Sequence, residues 1–506
     1  MSSTNAALHD LWKLGFHLCA PAGWVNDPNG LCQVGGTYHV FMQYSPDWPV
    51  AGAERGWGHF ASTDLLSWDF LGWALRADTP FDSCGAYSGC AVTLPGEGAA
   101  PSKGATPEAD GAPGKGAAPD AAGAAGKKDV AAPQPVRLYY TGNVKEPGDH
   151  DYVRSGRGAN VILVRTDAAR LCEPGQPGPK EVLLTNADYP AFCSCHVRDP
   201  KVWREPDGSW RMILGARDLD DRGLVLVYAS GDGLAWELAG TIRPTGARDF
   251  GYMWECPDRI ELGGREWLGL CPQGMGDRSW ANGVRDQSGY VPLPEGARVG
   301  DAPDVDVEGF RRWDAGFDFY APQTFVDEGG RTLLLGWMGL PEPPFECAPK
   351  GLGWAGCLTV PRELRALPDG TLAQLPAREL ESLRGEARHL DGSAPLALPG
   401  RRADVLVEGI EGACELVLDD ALALRVDQTG RVRLEFLDAR VGAGRAVREV
   451  AGAGPVRDLR VLVDGSTVEV FADGGRTVLS TRWFPRASRL AIGLAGTFAA
   501  ATAWPL

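Results

Sequence analysis

The 506-residue chain lacks any run of about 20 apolar residues, so no helix is expected to span a membrane. Its first residues, MSSTNAALHDLWKLGF, lack both the basic n-region and the apolar h-region of a secretory signal, and the expectation is a soluble cytoplasmic protein. Positive charge is in deficit: Lys+Arg 50 against Asp+Glu 66 gives a net charge of -16. A surface that acidic repels phosphate backbones and anionic headgroups, so neither nucleic acid nor a membrane is an expected partner. No Asn-x-Ser/Thr acceptor site occurs, and the 12 cysteines are scattered without regular spacing. They read as reduced thiols. Cys193, Cys195 and His196 miss the paired Cys-x2-Cys spacing of metal ligands and read as a loop that happens to hold thiols, so no metal is expected.

What the chain has in excess is glycine (67) and tryptophan (17). All-β proteins need many tight turns, and sugar sites often use aromatic faces. At about 100 to 200 residues per domain, more than one domain is expected.

A repeat is visible. NDPNGLCQVGGTYHVFMQYS, RDPKVWREPDGSWRMILGAR, ECPDRIELGGREWLGLCPQG and YAPQTFVDEGGRTLLLGWMG share a proline near the start, an apolar strand, a turn and a second apolar strand. The turns fall at Gly35-Gly36, Asp207-Gly208, Gly263-Gly264 and Gly329-Gly330, where glycine supplies the positive φ of a tight hairpin. A fifth unit begins at Ser88-Gly89-Cys90 and resumes at Arg137-Leu138-Tyr139, split by an Ala/Gly/Pro/Lys-rich insert at about 94–135 expected to be disordered. ASTDLLSWDFLG and ASGDGLAWELAG repeat a second pattern, read as outer strands. Five such units predict an all-β fold whose N-terminal part, residues 1–365, is a five-bladed β-propeller. A helical linker at 366–385 and a C-terminal β-sandwich at 386–506 should follow, the latter signalled by strands such as Val432 to Phe436 and by the hairpin VLVDGSTVEVF with its turn at Asp464-Gly465.

Asp27, Asp199 and Glu255 each stand just ahead of the first strand of their unit, and equivalent positions of a propeller converge on its axis. Three crowded carboxyls push one another's pKa values apart, which lets one stay protonated while another reacts as an anion. Retaining glycoside hydrolysis needs such a pair, one carboxyl protonating the leaving oxygen and one forming a glycosyl ester.

These residues lie in segments that resemble a known family. HLCAPAGWVNDPNG, YHVFMQYSPDW, WGHFASTDLLSW, YSGCAV, VRDPKVW, MWECPD, DFYAPQTF, RTLLLGWMG and VEVFADGGRTVLSTRWFP follow, in order, the signature segments of glycoside hydrolase family 32, the invertase and sucrose-6-phosphate hydrolase family. The resemblance runs from about Leu11 to the C-terminus apart from the insert. It implies a five-bladed propeller joined to a β-sandwich, no cofactor, and release of terminal β-D-fructofuranosyl units, with retention, from sucrose, sucrose 6-phosphate or short fructo-oligosaccharides. Asp27 would be the nucleophile, Asp199 the stabiliser of the oxocarbenium-like transition state, and Glu255 the general acid/base. Asn26, Gln43, Tyr87, Ser88 and Arg198 fall on positions that bind the fructosyl unit, and Trp57 and Trp337 look like pocket walls. Arg198, next to Asp199, is expected to lower that acid's pKa and keep it ionised. A fructosyltransferase on the same scaffold and a non-catalytic sugar-binding propeller are the alternatives. The sequence leaves open the preferred sugar, the leaving-group contacts, with Trp48 unaligned, and the oligomeric state.

Overall fold

The computed structural model describes residues 10–50, 52–95, 134–246, 249–341, 352–452 and 454–506. Most of the insert at 94–135 therefore lies outside the described residues.

The chain is all-β. Four sheets are four-stranded antiparallel meanders in sequence order: 86–184, 193–242, 253–312 and 320–376. They are preceded by a five-stranded sheet in which Gly23–Val34, Thr37–Ser45, Gly56–Ser62 and Asp69–Leu75 follow one another. Its fifth member, Trp354–Ala355, returns from near the end of the series to pair in parallel with Gly23-Trp24. The innermost strands are Gly23–Val34, Ala86–Thr93, Cys193–Arg204, Met253–Leu262 and Tyr320–Val326. Each packs against the next, and the last packs against the first. Apolar clusters fill the gaps between neighbouring sheets, such as Tyr139, Leu163, Met212 and Leu226 between the second and third.

Local sequence explains the hairpins. Gly35 and Gly36 have φ of 60° and 80°, and Gly263 and Gly264 have 59° and 80°, so two repeat units make the same turn with both central residues left-handed. The second repeat is also structural: Ser62 accepts from Asp64 and Leu65 N–H while Ser230 accepts from Asp232 and Gly233 N–H, each turning its third strand into its fourth.

Three expectations need correction. The three acids do not stand ahead of their strands; they lie inside the innermost ones. The stretch 366–385 is not a helical linker, since Leu372–Pro376 is the outer strand of the fifth sheet and only Arg378–Leu383 is helical, as a 3-10 turn. Cys193, Cys195 and His196 form no loop but open the strand Cys193–Arg204.

Beyond residue 386, two six-stranded antiparallel sheets face each other across one core that draws Val405 and Val461 from one sheet and Leu416 and Leu424 from the other. The turn of the predicted hairpin falls on Gly465-Ser466, one residue late. The segment Asp314 to Phe319 runs along Thr477–Arg482, with Ala315 N–H to Val478 O at 2.8 Å and Phe317 N–H to Ser480 O at 2.8 Å, and Phe317 enters the two-sheet core. This seam joins the two parts.

Candidate active site

Every innermost strand carries the same irregularity near its start. Pairing with the second strand skips two residues against one at Asn26-Asp27, Tyr87-Ser88, Asp199-Pro200, Cys256-Pro257 and Ala321-Pro322. These are β-bulges, which bend a strand and re-aim its side chains. Asp199, Cys256 and Ala321, the first residues of three of them, have φ of 62°, 46° and 47°. The prolines of the repeat sit at or just after the bulge, where a ladder N–H has no partner to lose. Directly after the Tyr87-Ser88 bulge, Gly89 is obligatory: a Cβ there would lie 1.9 Å from the Tyr139 carbonyl oxygen.

The bulges bring Asp27, Asp199 and Glu255 within mutual electrostatic reach. Ser88 donates to Asp27 Oδ2 at 2.8 Å and Asn26 donates to Oδ1 at 3.0 Å. Burial, then the charges of Glu255 and Asp199, push the Asp27 carboxyl up to about 7. Asp199 Oδ2 accepts the Cys256 N–H at 2.9 Å. Burial pushes Asp199 up to about 6, and the Arg198 charge lowers it as expected but does not offset the burial. Arg198 makes its short hydrogen bonds to Glu255. Its Nη2 donates to Glu255 Oε1 at 2.7 Å, whereas its Nε is 3.9 Å from Asp199.

The other candidates cluster here too. Gln43 is the single residue opposite the Asn26-Asp27 bulge and is buried. Tyr87 is half-buried beside Ser88, and its carbonyl accepts from Trp57 Nε1 at 3.0 Å. Trp57 itself is fully buried between Phe41 and Tyr140, beneath the site rather than along it. Trp337 is buried edge-on to Trp24. Three buried polar atoms here, Asn26 Oδ1, Gln43 Nε2 and Trp337 Nε1, have no hydrogen-bond partner among the described residues. Unsatisfied groups are costly unless a ligand completes them.

Several residues escaped sequence reading. Tyr320 donates to Glu255 Oε2 at 2.8 Å, and Thr141 Oγ1 accepts the Asp199 N–H at 3.0 Å. Thr141 lies opposite the Tyr87-Ser88 bulge just as Gln43 lies opposite its own, so aligning the second strands of the repeat would have found it. His196 sits 3.0 Å from Arg198 Nη1 through Nδ1 and 3.1 Å from the Tyr152 carbonyl through Nε2. With Arg198 donating and Tyr152 O accepting, the ring must be neutral and protonated on Nε2, and burial beside Arg198 depresses its pKa to about 3.

The family model for the N-terminal domain of glycosyl hydrolases family 32 matches residues 17–376, and that for the C-terminal domain matches 427–504. The chain belongs to glycosyl hydrolase family 32. A sucrose-6-phosphate hydrolase of Klebsiella pneumoniae is 35% identical over 492 residues, covering 96% of this chain and 91% of its own. A raffinose invertase of Escherichia coli is 33% identical, covering 98% and 94%. Among solved structures, a sucrose-6-phosphate hydrolase from Lactobacillus gasseri superposes with a TM-score of 0.79 at 25% identity, covering 100% of this chain and 96% of its own. A family 32 β-fructofuranosidase of Bombyx mori, a variant in complex with sucrose, does so with a TM-score of 0.74 at 26% identity, covering 100% and 96%. The first N-terminal match ends at the last strand of the fifth sheet, the place where the structure changes architecture.

Proposed function

We propose that this family 32 glycosidase is a β-fructofuranosidase that releases terminal fructose from sucrose-type substrates with retention. The five sheets are the blades of a five-bladed β-propeller, as the closed series of inner-strand contacts supports, and the two six-stranded sheets form a β-sandwich, with the division near 377. The observation that carries the function is the convergence of Asp27 and Asp199, in the bulges of two inner strands, with Glu255, next to the bulge of a third.

Asp27 attacks the anomeric carbon of the fructosyl unit while Glu255 protonates the departing oxygen. Glu255 then takes a proton from the water that opens the fructosyl ester. The reaction requires the proton on Glu255 and the charge on Asp27. Asp199 stabilises positive charge on the ring, with Arg198, held by His196, orienting Glu255. Asn26, Gln43 and Trp337 offer their unpaired polar atoms to sugar hydroxyls, and Tyr87 borders the leaving side. The names of the relatives differ in the leaving sugar, neutral or phosphorylated, and share the fructosyl bond. The net charge of -16 speaks for a small sugar as partner rather than nucleic acid or anionic membrane, and the eleven free cysteines described suit the cytoplasm. No helix among the described residues is long and apolar enough to cross a membrane.

The test is Glu255→Gln assayed on sucrose and on an aryl β-fructofuranoside. Loss of about 10²–10⁴ in kcat is expected on sucrose and far less on the aryl substrate, whose leaving group needs little protonation. Equal loss on both would remove Glu255 from the acid role, and fructose transferred to sugar rather than water at moderate sucrose would favour a transferase.

A further inference from the structure

The five innermost strands belong to five different sheets, and among the described residues no ladder joins one of them to another. Polar ties between them are therefore made by side chains. Glu255 shows the consequence: Arg198 Nη2 reaches its Oε1 from Cys193–Arg204, and the Tyr320 hydroxyl reaches its Oε2 from Tyr320–Val326. The acid is held by two strands that its own sheet does not control.

The same three strands meet a second time, a few residues further along each. Lys201, Asp258 and Thr324 follow Arg198, Glu255 and Tyr320 by three, three and four residues. Lys201 Nζ lies 2.7 Å from Asp258 Oδ1 and donates to the Thr324 carbonyl oxygen at 2.6 Å. Asp258 Oδ2 accepts the Thr324 N–H at 2.7 Å and the Thr324 hydroxyl at 2.8 Å. Asp258 and Thr324 are buried, and the Lys201 side chain is only 16% exposed, so the clamp works with little competition from water. One ammonium and one carboxylate thus tie together the three strands whose relative register decides whether Arg198 and Tyr320 can both reach Glu255.

Lys201 faces away from the acids. With Thr324 it borders a cavity of about 620 Å³ to which all five innermost strands contribute, and which none of Asp27, Asp199 and Glu255 lines. The nucleophile's strand is tied by other groups: Gly89 N–H donates to Asn29 Oδ1 at 3.2 Å, and Gln323 Nε2 donates to the Gly89 carbonyl oxygen at 3.0 Å. Loss of the Lys201 tie should loosen the acid and spare the nucleophile.

Resting on the β-fructofuranosidase reading with Glu255 as its acid, we propose that Lys201 is a positioning residue for the general acid. By clamping Asp258 to Thr324 it fixes three strands so that Arg198 and Tyr320 together aim Glu255 at the leaving oxygen.

The readout is the ratio of kcat on sucrose to kcat on an aryl β-fructofuranoside, measured on the full chain, because a ratio is blind to the fraction of folded enzyme. Lys201→Met should lower this ratio about tenfold, the cost of a misplaced acid on the substrate that needs protonation most. KM for sucrose should change by less than about twofold, since Lys201 does not touch substrate. Thr324→Val removes one hydroxyl from the clamp and keeps its backbone contacts, so it reports even where Lys201→Met does not fold. It should lower the ratio about threefold. In the Glu255→Gln background no acid is left to position, and adding Lys201→Met should leave the ratio where Glu255→Gln put it. A ratio unmoved by Lys201→Met or, where that variant does not fold, by Thr324→Val, including an equal loss on both substrates, marks a purely structural clamp and overturns the proposal. A further fall in the double variant as large as in Lys201→Met alone overturns it too. Either result leaves the fructofuranosidase reading intact. Equal loss on both substrates in Glu255→Gln itself would instead remove the acid assignment on which the proposal rests.

Discussion

Two groups of buried carboxyls in this molecule titrate in opposite directions. At the axis, Asp27 and Asp199 are pushed up to about 7 and about 6. At the seam between the two parts, Asp464 and Glu469 are held below the usual carboxylate range although they are fully buried. Burial raises all four, so partners make the difference. In the acid cluster, Asp27 is raised by the charges of Glu255 and Asp199, and Arg198 pairs with the latter two only. At the seam, His17 sits between Asp464 at 2.9 Å and Glu469 at 2.8 Å, and Arg362 Nε donates to Glu469 at 2.9 Å. Backbone N–H groups of Gly15 and Phe16 add to Asp464, and that of Val360 to Glu469. Asp314 also touches Arg362, but burial still raises it. Where charges are matched, buried acids join the two parts. Where they are left in surplus, the protons become movable, which is what acid/base chemistry needs.

The largest effect should come from breaking the surplus. Asp27→Asn should lower kcat on sucrose by three orders of magnitude or more, because an amide cannot form the fructosyl ester. The same variant should be more stable than wild type. A carboxyl whose folded pKa is raised costs stability above its unfolded value of about 4, so the gain in Tm should be full above pH 7 and vanish below pH 4. Thermal scans at pH 4 and 8 check this, and a variant with lower Tm at pH 8 would contradict the picture.

At the seam the sign reverses. Arg362→Leu leaves Glu469 and Asp314 buried without their cation, and a loss of about 3–5 kcal/mol is expected. Denaturant unfolding read by tryptophan fluorescence measures it.

His17→Gln should destabilise in a pH-dependent way. The pKa of His17 is raised by its two acids, so its contribution is full below about 6.5 and fades as pH rises through the higher folded value. The Tm gap between wild type and variant should therefore shrink from pH 6 to pH 9. A gap that widened would mean that His17 is neutral in the folded protein.

Ser88→Ala is the mildest change. Ser88's hydrogen bond lowers the Asp27 pKa, so its loss should move the acid limb of the kcat/KM profile upward by less than about one unit. A downward shift would show that the hydroxyl favours the protonated form.

How much of this was legible in the chain depends on the range of the interaction. Gly35-Gly36 and Gly263-Gly264 announce their turns because a left-handed φ is a local demand. The prolines after Asp27, Asp199 and Cys256 repeat for a local reason as well, although they mark bulges inside strands rather than strand starts. Asp27, Asp199 and Glu255 could be picked out because each sits within a residue of the same feature in a repeated unit, Asp27 and Asp199 in the bulge and Glu255 just before it. Leu372–Pro376 was missed because a short strand is specified by its neighbour, here Arg362–Ala366, and not by its own pattern.

The sequence by itself determined the hairpins, their number and the family, since each is written in contiguous residues. Only the tertiary structure decided that Arg198 serves Glu255 rather than its neighbour Asp199, that Tyr320 and Thr141 complete the site, and that His17, Arg362 and Glu469 form a buried joint. Charge pairing, burial and pKa depend on which groups approach within a few ångströms in space, and sequence separation does not carry that information.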